Sequence, residues 1–259
     1  MSRLPKHFII PDTQVRPNVP TNHLKAAASY CVDKQPEVIV HLGDHWDFPS
    51  LSSYEKKGSA FFEEASLAAD IRAGNDAMTV FTDVIAAHNR KMRRMKKRGY
   101  HPRMVFLMGN HENRMQRLID SDPVLYRDVI GYHQLNLEGW EVVPFLEMIE
   151  IDGVQYSHYF YNPDSGRPYG GMMSTRVKNV GFSFTMGHQQ GKDIAERKLS
   201  NGQTIRGLVV GSFYQHDEGY RGPQGNVAHW RGCIMKSEVS RGDYCLMELS
   251  MDYLLRRWL

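Results

Sequence analysis

The sequence is short of paired cysteines, of long apolar runs and of net charge, and each shortage removes a class of protein. Its 3 cysteines, Cys31, Cys233 and Cys245, are odd in number and lack Cys-x-x-Cys spacing, which argues against a disulfide framework or a zinc ribbon and leaves reduced thiols. No apolar stretch approaches the roughly 20 residues of a membrane-spanning helix. Met1-Ser2-Arg3-Leu4-Pro5-Lys6 carries no signal-peptide core and leads straight into an apolar run. A cytoplasmic protein with no membrane partner is the expectation. A net charge of +3 permits a polyanionic partner without demanding one. No repeat or low-complexity linker divides the 259 residues, so a single domain over 1–259 is expected.

What the chain does contain is four polar segments in series, each behind a short apolar run. Asp12-Thr13-Gln14 follows Phe8-Ile9-Ile10, and Gly43-Asp44-His45-Trp46-Asp47 follows Val38 to Leu42. Gly109-Asn110-His111-Glu112 follows Met104 to Met108, and Gly187-His188-Gln189-Gln190 follows Phe182 to Met186, with His158 standing alone between. Short apolar runs of this kind read as buried strands. The polar residues then fall at strand C-terminal ends, where open α/β sheets place their ligands. Asp, Asn, Gln and His on several loop tips suit a divalent-metal site.

The rest of the pattern is coarser. Thr21 is a candidate N-cap for a helix reaching about Lys34, with Pro36 before the next strand. Residues 60–98 predict one long helix or two, with Phe81, Ile85, His88, Met92 and Met95 spaced for one face. Glu63 and Glu64 stand near its start, and 6 of the 8 residues Lys91 to Arg98 are basic, which suits the helix dipole. That basic run could follow a nucleic-acid backbone, but it reads first as a solvated helix end. Residues 112–131 predict helix broken at Pro123. From Glu147 the chain turns β-like, with a hairpin signal at Asp152-Gly153. Later strand candidates are 208–210, 232–235 and 244–249.

The ordered motifs resemble the calcineurin-like metallophosphoesterase superfamily, whose pattern is D-x-H, GD-x-x-D, GNH-D/E, a lone His and GH-x-H. The resemblance runs from Asp12 to Gln190. It departs twice in the same way: Gln14 and Gln190 stand where that pattern has His. The wording of Ile10 to Gln14 and Gly109 to Arg114 is similar to small phosphoesterases of bacteria and their phages. Met108 stands where the superfamily's protein phosphatases carry Arg.

The resemblance implies an α/β fold with two facing mixed β-sheets flanked by helices, a four-layer sandwich. It implies two divalent metal ions bridged by Asp44. The first would take Asp12, Gln14, Asp44 and Gln190, and the second Asp44, Asn110, His158 and His188. Neutral amide oxygens favour a hard cation, so manganese is expected, with magnesium, iron or zinc as alternatives. Three readings of the glutamine pair stay open. Either both ligate, or the first site fills only with substrate phosphate present, or that site is lost, leaving a one-metal enzyme or a non-catalytic binder. His41 or His45 could offer a substitute imidazole.

By the same resemblance His111 is the general acid and Asp47 the carboxylate that orients it. The expected activity is hydrolysis of a nucleotide or nucleic-acid phosphodiester by metal-activated hydroxide. A phosphomonoesterase on a small nucleotide or metabolite is the alternative, and a phosphate-binding protein is a third. Arg114 reads equally as a phosphate clamp or a surface arginine, and Glu112 as a charge at a helix start. The loop Tyr159 to Met173 reads as a lid or base-stacking wall, with Tyr161 and Arg167 as substrate contacts, or as an ordinary packed loop. His216 to Pro223 could reach the site rim.

Overall fold

The computed structural model describes residues 4–52, 66–218 and 222–259. One sheet has the order β11-β10-β1-β2-β3-β4. Its strands β1 (His7–Ile10), β2 (Val38–His41), β3 (Arg103–Leu107) and β4 (Glu141–Val143) run parallel. β10 (Gly232–Ser240) and β11 (Asp243–Ser250) add an antiparallel edge. The second sheet has the order β5-β6-β7-β9-β8, built from β5 (Ile149–Ile151), β6 (Val154–Tyr156), β7 (Phe184–Met186), β8 (Lys192–Lys198) and β9 (Thr204–Val210). β6, β7 and β9 are parallel, and β5 and β8 are antiparallel at the two edges.

Strand alternation divides the core. Phe8, Ile10, Ile39 and Phe106 face α1 (Asn22–Lys34), α2 (Leu67–Arg94) and α7 (Met251–Trp258). Their neighbours Ile9, Val40 and Val105 face the second sheet and meet Val154, Tyr156, Leu208 and Val210. Beyond that sheet, α5 (Met173–Val180) covers Phe184, Ile205 and Val209. Covered on both faces, the central parallel strands β1, β2 and β3 read as nearly continuous apolar runs. The architecture is therefore the expected one: two mixed sheets flanked by helices. Among the described residues no helix is long and apolar enough to cross a membrane.

The polar content of the inter-sheet layer is not legible in the apolar pattern. Lys236 is fully buried there, its Nζ over the rings of Tyr156 at 4.7 Å and Tyr244 at 4.2 Å. It donates to Thr185 Oγ1, and burial holds its amine well below the usual range. His7, its partner across the ladder, bonds Tyr156 Oη at 2.7 Å and Asp152 Oδ2 at 2.8 Å.

Local expectations fare unevenly. Thr21 sits before α1, but its side chain makes no capping bond. On α2, Phe81 and Ile85 are buried, whereas Met95 lies 47% exposed beyond the helix end, so the basic run is a solvated terminus. Residues 53–65, including Glu63 and Glu64, lie outside the described residues. Pro123 does interrupt the helix after the third motif, separating α3 (Asn113–Ser121) from α4 (Pro123–Tyr126). β4, β8, α5 and α7 carried no sequence signal that was read.

Candidate metal centre

Every motif lies just beyond the C-terminal end of a parallel strand: β1, β2, β3, β6 and β7. The backbone there is unusual. Gln14 (φ 36°), Asp44 (φ 50°), His188 (φ 67°) and Gln190 (φ 60°) all occupy the left-handed region. Side chains disfavour that region, and such strain gathers at functional sites. Two motif glycines are required by close approach. A Cβ on Gly109 would lie 2.1 Å from Asp44 Oδ1, and one on Gly187 would lie 2.4 Å from Asp12 Oδ1.

On the imidazole side, Asp44, His158 and His188 bring ligand atoms within 4.8 Å of one another. His158 donates Nδ1–H to the Leu42 carbonyl at 2.7 Å, so the neutral ring presents a lone pair at Nε2. That lone pair faces Asn110 Oδ1 at 2.9 Å and Asp44 Oδ2 at 3.4 Å. His188 Nδ1 faces the same Asn110 oxygen at 2.8 Å. With His158 neutral, its Nε2 lone pair meets the Asp44 carboxylate and Asn110 Oδ1, so one positive charge, a proton on the ring or a cation between them, satisfies the group. The titration of the groups agrees. Burial opposes charge on His158, but the Asp44 carboxylate outweighs it and raises His158 to about 9. Burial likewise opposes ionisation of Asp44, yet His111 and His158 hold its carboxyl well below the usual range.

On the glutamine side, three buried oxygens lack any hydrogen-bond donor: Asp12 Oδ2, Gln14 Oε1 and Gln190 Oε1. A buried acceptor without a donor is costly. All three belong to the set expected for the first cation. Asp12 Oδ1 accepts the His188 backbone N–H at 3.0 Å, and burial together with Asp44 raises Asp12 to about 7. The donor set therefore fits a cation on each side of Asp44, one rich in imidazole and one of oxygen alone.

His41 and His45 do not supply a substitute ligand, because both rings are engaged elsewhere. His45 bonds the Gly74 carbonyl through Nε2 at 2.9 Å and Thr13 Oγ1 through Nδ1 at 2.7 Å. His41 accepts Gly43 N–H at Nδ1 and donates Nε2–H to Thr13 Oγ1 at 3.2 Å. Burial lowers His45 to about 4 and His41 well below its usual value.

The acid side is equally ordered. His111 Nδ1 meets Asp47 Oδ1 at 2.9 Å, and its backbone N–H donates to Asp44 Oδ1 at 2.9 Å. Burial opposes its charge, but Asp44 and Asp47 prevail and raise His111 to about 9. Arg114 donates to the Asp47 and Phe48 carbonyls at 2.7 and 3.2 Å and lies 3.1 Å from His111 Nε2, so its observed contacts brace the Asp47 loop.

Sequence reasoning missed Arg16 and the role of Glu112, and pointed to the segment of Glu218 without singling that residue out. Glu112 does stand at a helix start, as the N-cap of α3, but it is fully buried and accepts the backbone N–H groups of Asp44, His45, Trp46 and Gly109 at 2.6–3.0 Å. Arg16 Nη1 stands 3.6 Å from Asp47 Oδ2 and 3.8 Å from Glu218 Oε2. His216 faces Glu218 at 3.3 Å, so the segment after β9 does reach the site, although residues 219–221 lie outside the described residues. No spacing rule flags Arg16 or Glu218. The full G-N-H-E motif did flag Glu112, whose role only the packing reveals.

Residues 159–169 form a closed wall. Tyr161 bridges Pro168, Asn162 N–H donates to the Arg167 carbonyl at 2.9 Å, and Tyr169 N–H donates to Phe160 O at 3.0 Å. Arg167 is exposed on this hairpin, and Tyr159 packs against His188 with ring centroids 4.8 Å apart.

No protein-family model and no curated protein matches the chain. Among solved structures the chain is similar to YfcE, a phosphoesterase from E. coli, at 11% identity and a TM-score of 0.40, over 95% of this chain and 99% of that chain. At that TM-score the reading of the site rests on its own geometry.

Proposed function

We propose that the protein is a divalent-metal-dependent phosphoesterase that favours a phosphodiester of a nucleotide or nucleic acid. The observation that carries this reading is a pair of donor sets around Asp44: the buried, donor-less oxygens of Asp12, Gln14 and Gln190 in one, and the Asn110 oxygen met by His158 and His188 in the other. When bound, two divalent cations supply the positive charge that activates water and offsets charge building on the phosphoryl oxygens. Asp44 belongs to both sets and would be the carboxylate the two cations share, and the oxygen-rich first set would favour manganese.

The chain's own residues do the rest. His111 stands beside the bridging carboxylate, placed to give a proton to the departing oxygen. Asp47 fixes its ring through Nδ1, and Nε2 stands 3.7 Å from Asp44 Oδ2 and 3.1 Å from the Arg114 guanidinium. Arg114, Tyr161 and Arg167 are assigned to substrate. The aromatic hairpin and the mildly basic chain support a diester over a monoester.

The test compares bis-p-nitrophenyl phosphate with p-nitrophenyl phosphate in manganese, with and without chelator. Chelator-sensitive turnover that prefers the diester is expected. Turnover of the monoester alone would replace the diester reading, and no turnover of either would favour a binding protein.

A further inference from the structure

Beside the imidazole half of the centre lies a cavity of about 610 Å³ with five aromatic rings in its wall. Tyr159, Phe160, Tyr161, Tyr169 and Phe182 line it. The cavity adjoins the metal centre across one residue: Tyr159 lines it and also packs on His188 at 4.8 Å and His158 at 5.8 Å between ring centroids. Its rim gathers apolar surface that a folded protein ordinarily covers, with Leu146 37%, Met148 56% and Tyr161 38% exposed. Exposed apolar residues clustered at one opening mark a binding site more than scattered ones do. The size suits a small ligand.

Resting on the phosphodiesterase reading, we infer that this cavity receives the nucleobase of the nucleotide whose phosphate sits at the metal centre. Flat rings are the surface on which bases stack without regard to sequence. An acyl chain needs no polar rim, whereas Glu147 and Asn179 put hydrogen-bonding groups at the edge of this one, where a base edge would lie. A base held against Tyr159 lies next to the ring that packs on His158 and His188, which puts the rest of the nucleotide beside the metal centre. The hairpin closed by the Tyr161–Pro168 bridge holds the wall in place before substrate arrives.

The experiment compares two diesters that release the same p-nitrophenolate, thymidine 5′-(p-nitrophenyl phosphate) and methyl p-nitrophenyl phosphate, in manganese. Stacking of one base predicts a kcat/KM about ten- to hundredfold higher for the thymidine ester. Tyr161→Ala and Tyr169→Ala should each carry that ratio toward one, and Tyr161→Phe should keep it. A ratio near one in the unaltered protein overturns the cavity's role while leaving the diesterase reading intact. If neither ester is hydrolysed, the diesterase reading fails, and thymidine titrated into the protein by calorimetry decides the cavity separately. Binding abolished by Tyr161→Ala sustains it, and no binding overturns it.

Discussion

Glu112 accepts the backbone N–H of Asp44 at 2.9 Å, across 68 residues of chain. The same carboxylate also holds His45, Trp46 and Gly109, so one buried side chain ties the second motif's turn to the third's. Asp44 sits in the left-handed region within that turn. The grip of Glu112 offsets the strain and aims the Asp44 carboxylate at both halves of the centre.

Glu112→Gln should therefore destabilise the protein by about 2–4 kcal/mol, because an amide nitrogen would face backbone donors where a carboxylate oxygen now accepts. Urea unfolding measures this. A change below about 0.5 kcal/mol would show that the clamp does not hold the turn.

Asp44→Ala should lower activity more than any other single change, since it removes the carboxylate common to both ligand sets. His111→Asn should keep metal binding yet slow alkyl-ester hydrolysis by about 10²–10⁴-fold, the usual worth of a general acid. On a nitrophenyl ester the loss should shrink, because nitrophenolate departs without a proton. Equal losses on both kinds of ester would remove His111 from the proton transfer.

Manganese titration should resolve one tight and one loose ion per chain. The His158–His188 side offers imidazole nitrogen, and the Gln14–Gln190 side offers neutral amide oxygen, a weaker donor to transition metals. Gln14→His combined with Gln190→His should tighten the loose ion and shift preference toward zinc. Two equal sites in the unaltered protein would mean that the glutamines are not ligands.

His23 gives a stability signature away from the centre. Burial, joined by His45 and His216, lowers it from 6.5 to about 3. The unfolded chain takes up a proton near pH 6.5 that the folded chain refuses, so the His23 contribution is complete above that pH and is lost as pH falls toward 3. The stability difference between the unaltered protein and His23→Gln should shrink by about 2 kcal/mol from pH 7 to pH 5. Urea midpoints at the two pH values decide it, and a constant difference would mean that His23 titrates normally.

The sequence by itself determined the ladder of buried strands and the residues at their tips. Apolar runs ending in Asp12, Asp44, Asn110 and His188 need only local pattern to be read, because strand burial and strand-end chemistry are both local. Tertiary structure alone decided what those tips face. That the glutamine oxygens are buried without donors, the ground for proposing them as ligands, is a property of packing. Glu112 and Arg16 show the same limit. Each acts on a loop brought to it by the sheet order, across a chain separation over which no periodicity carries information.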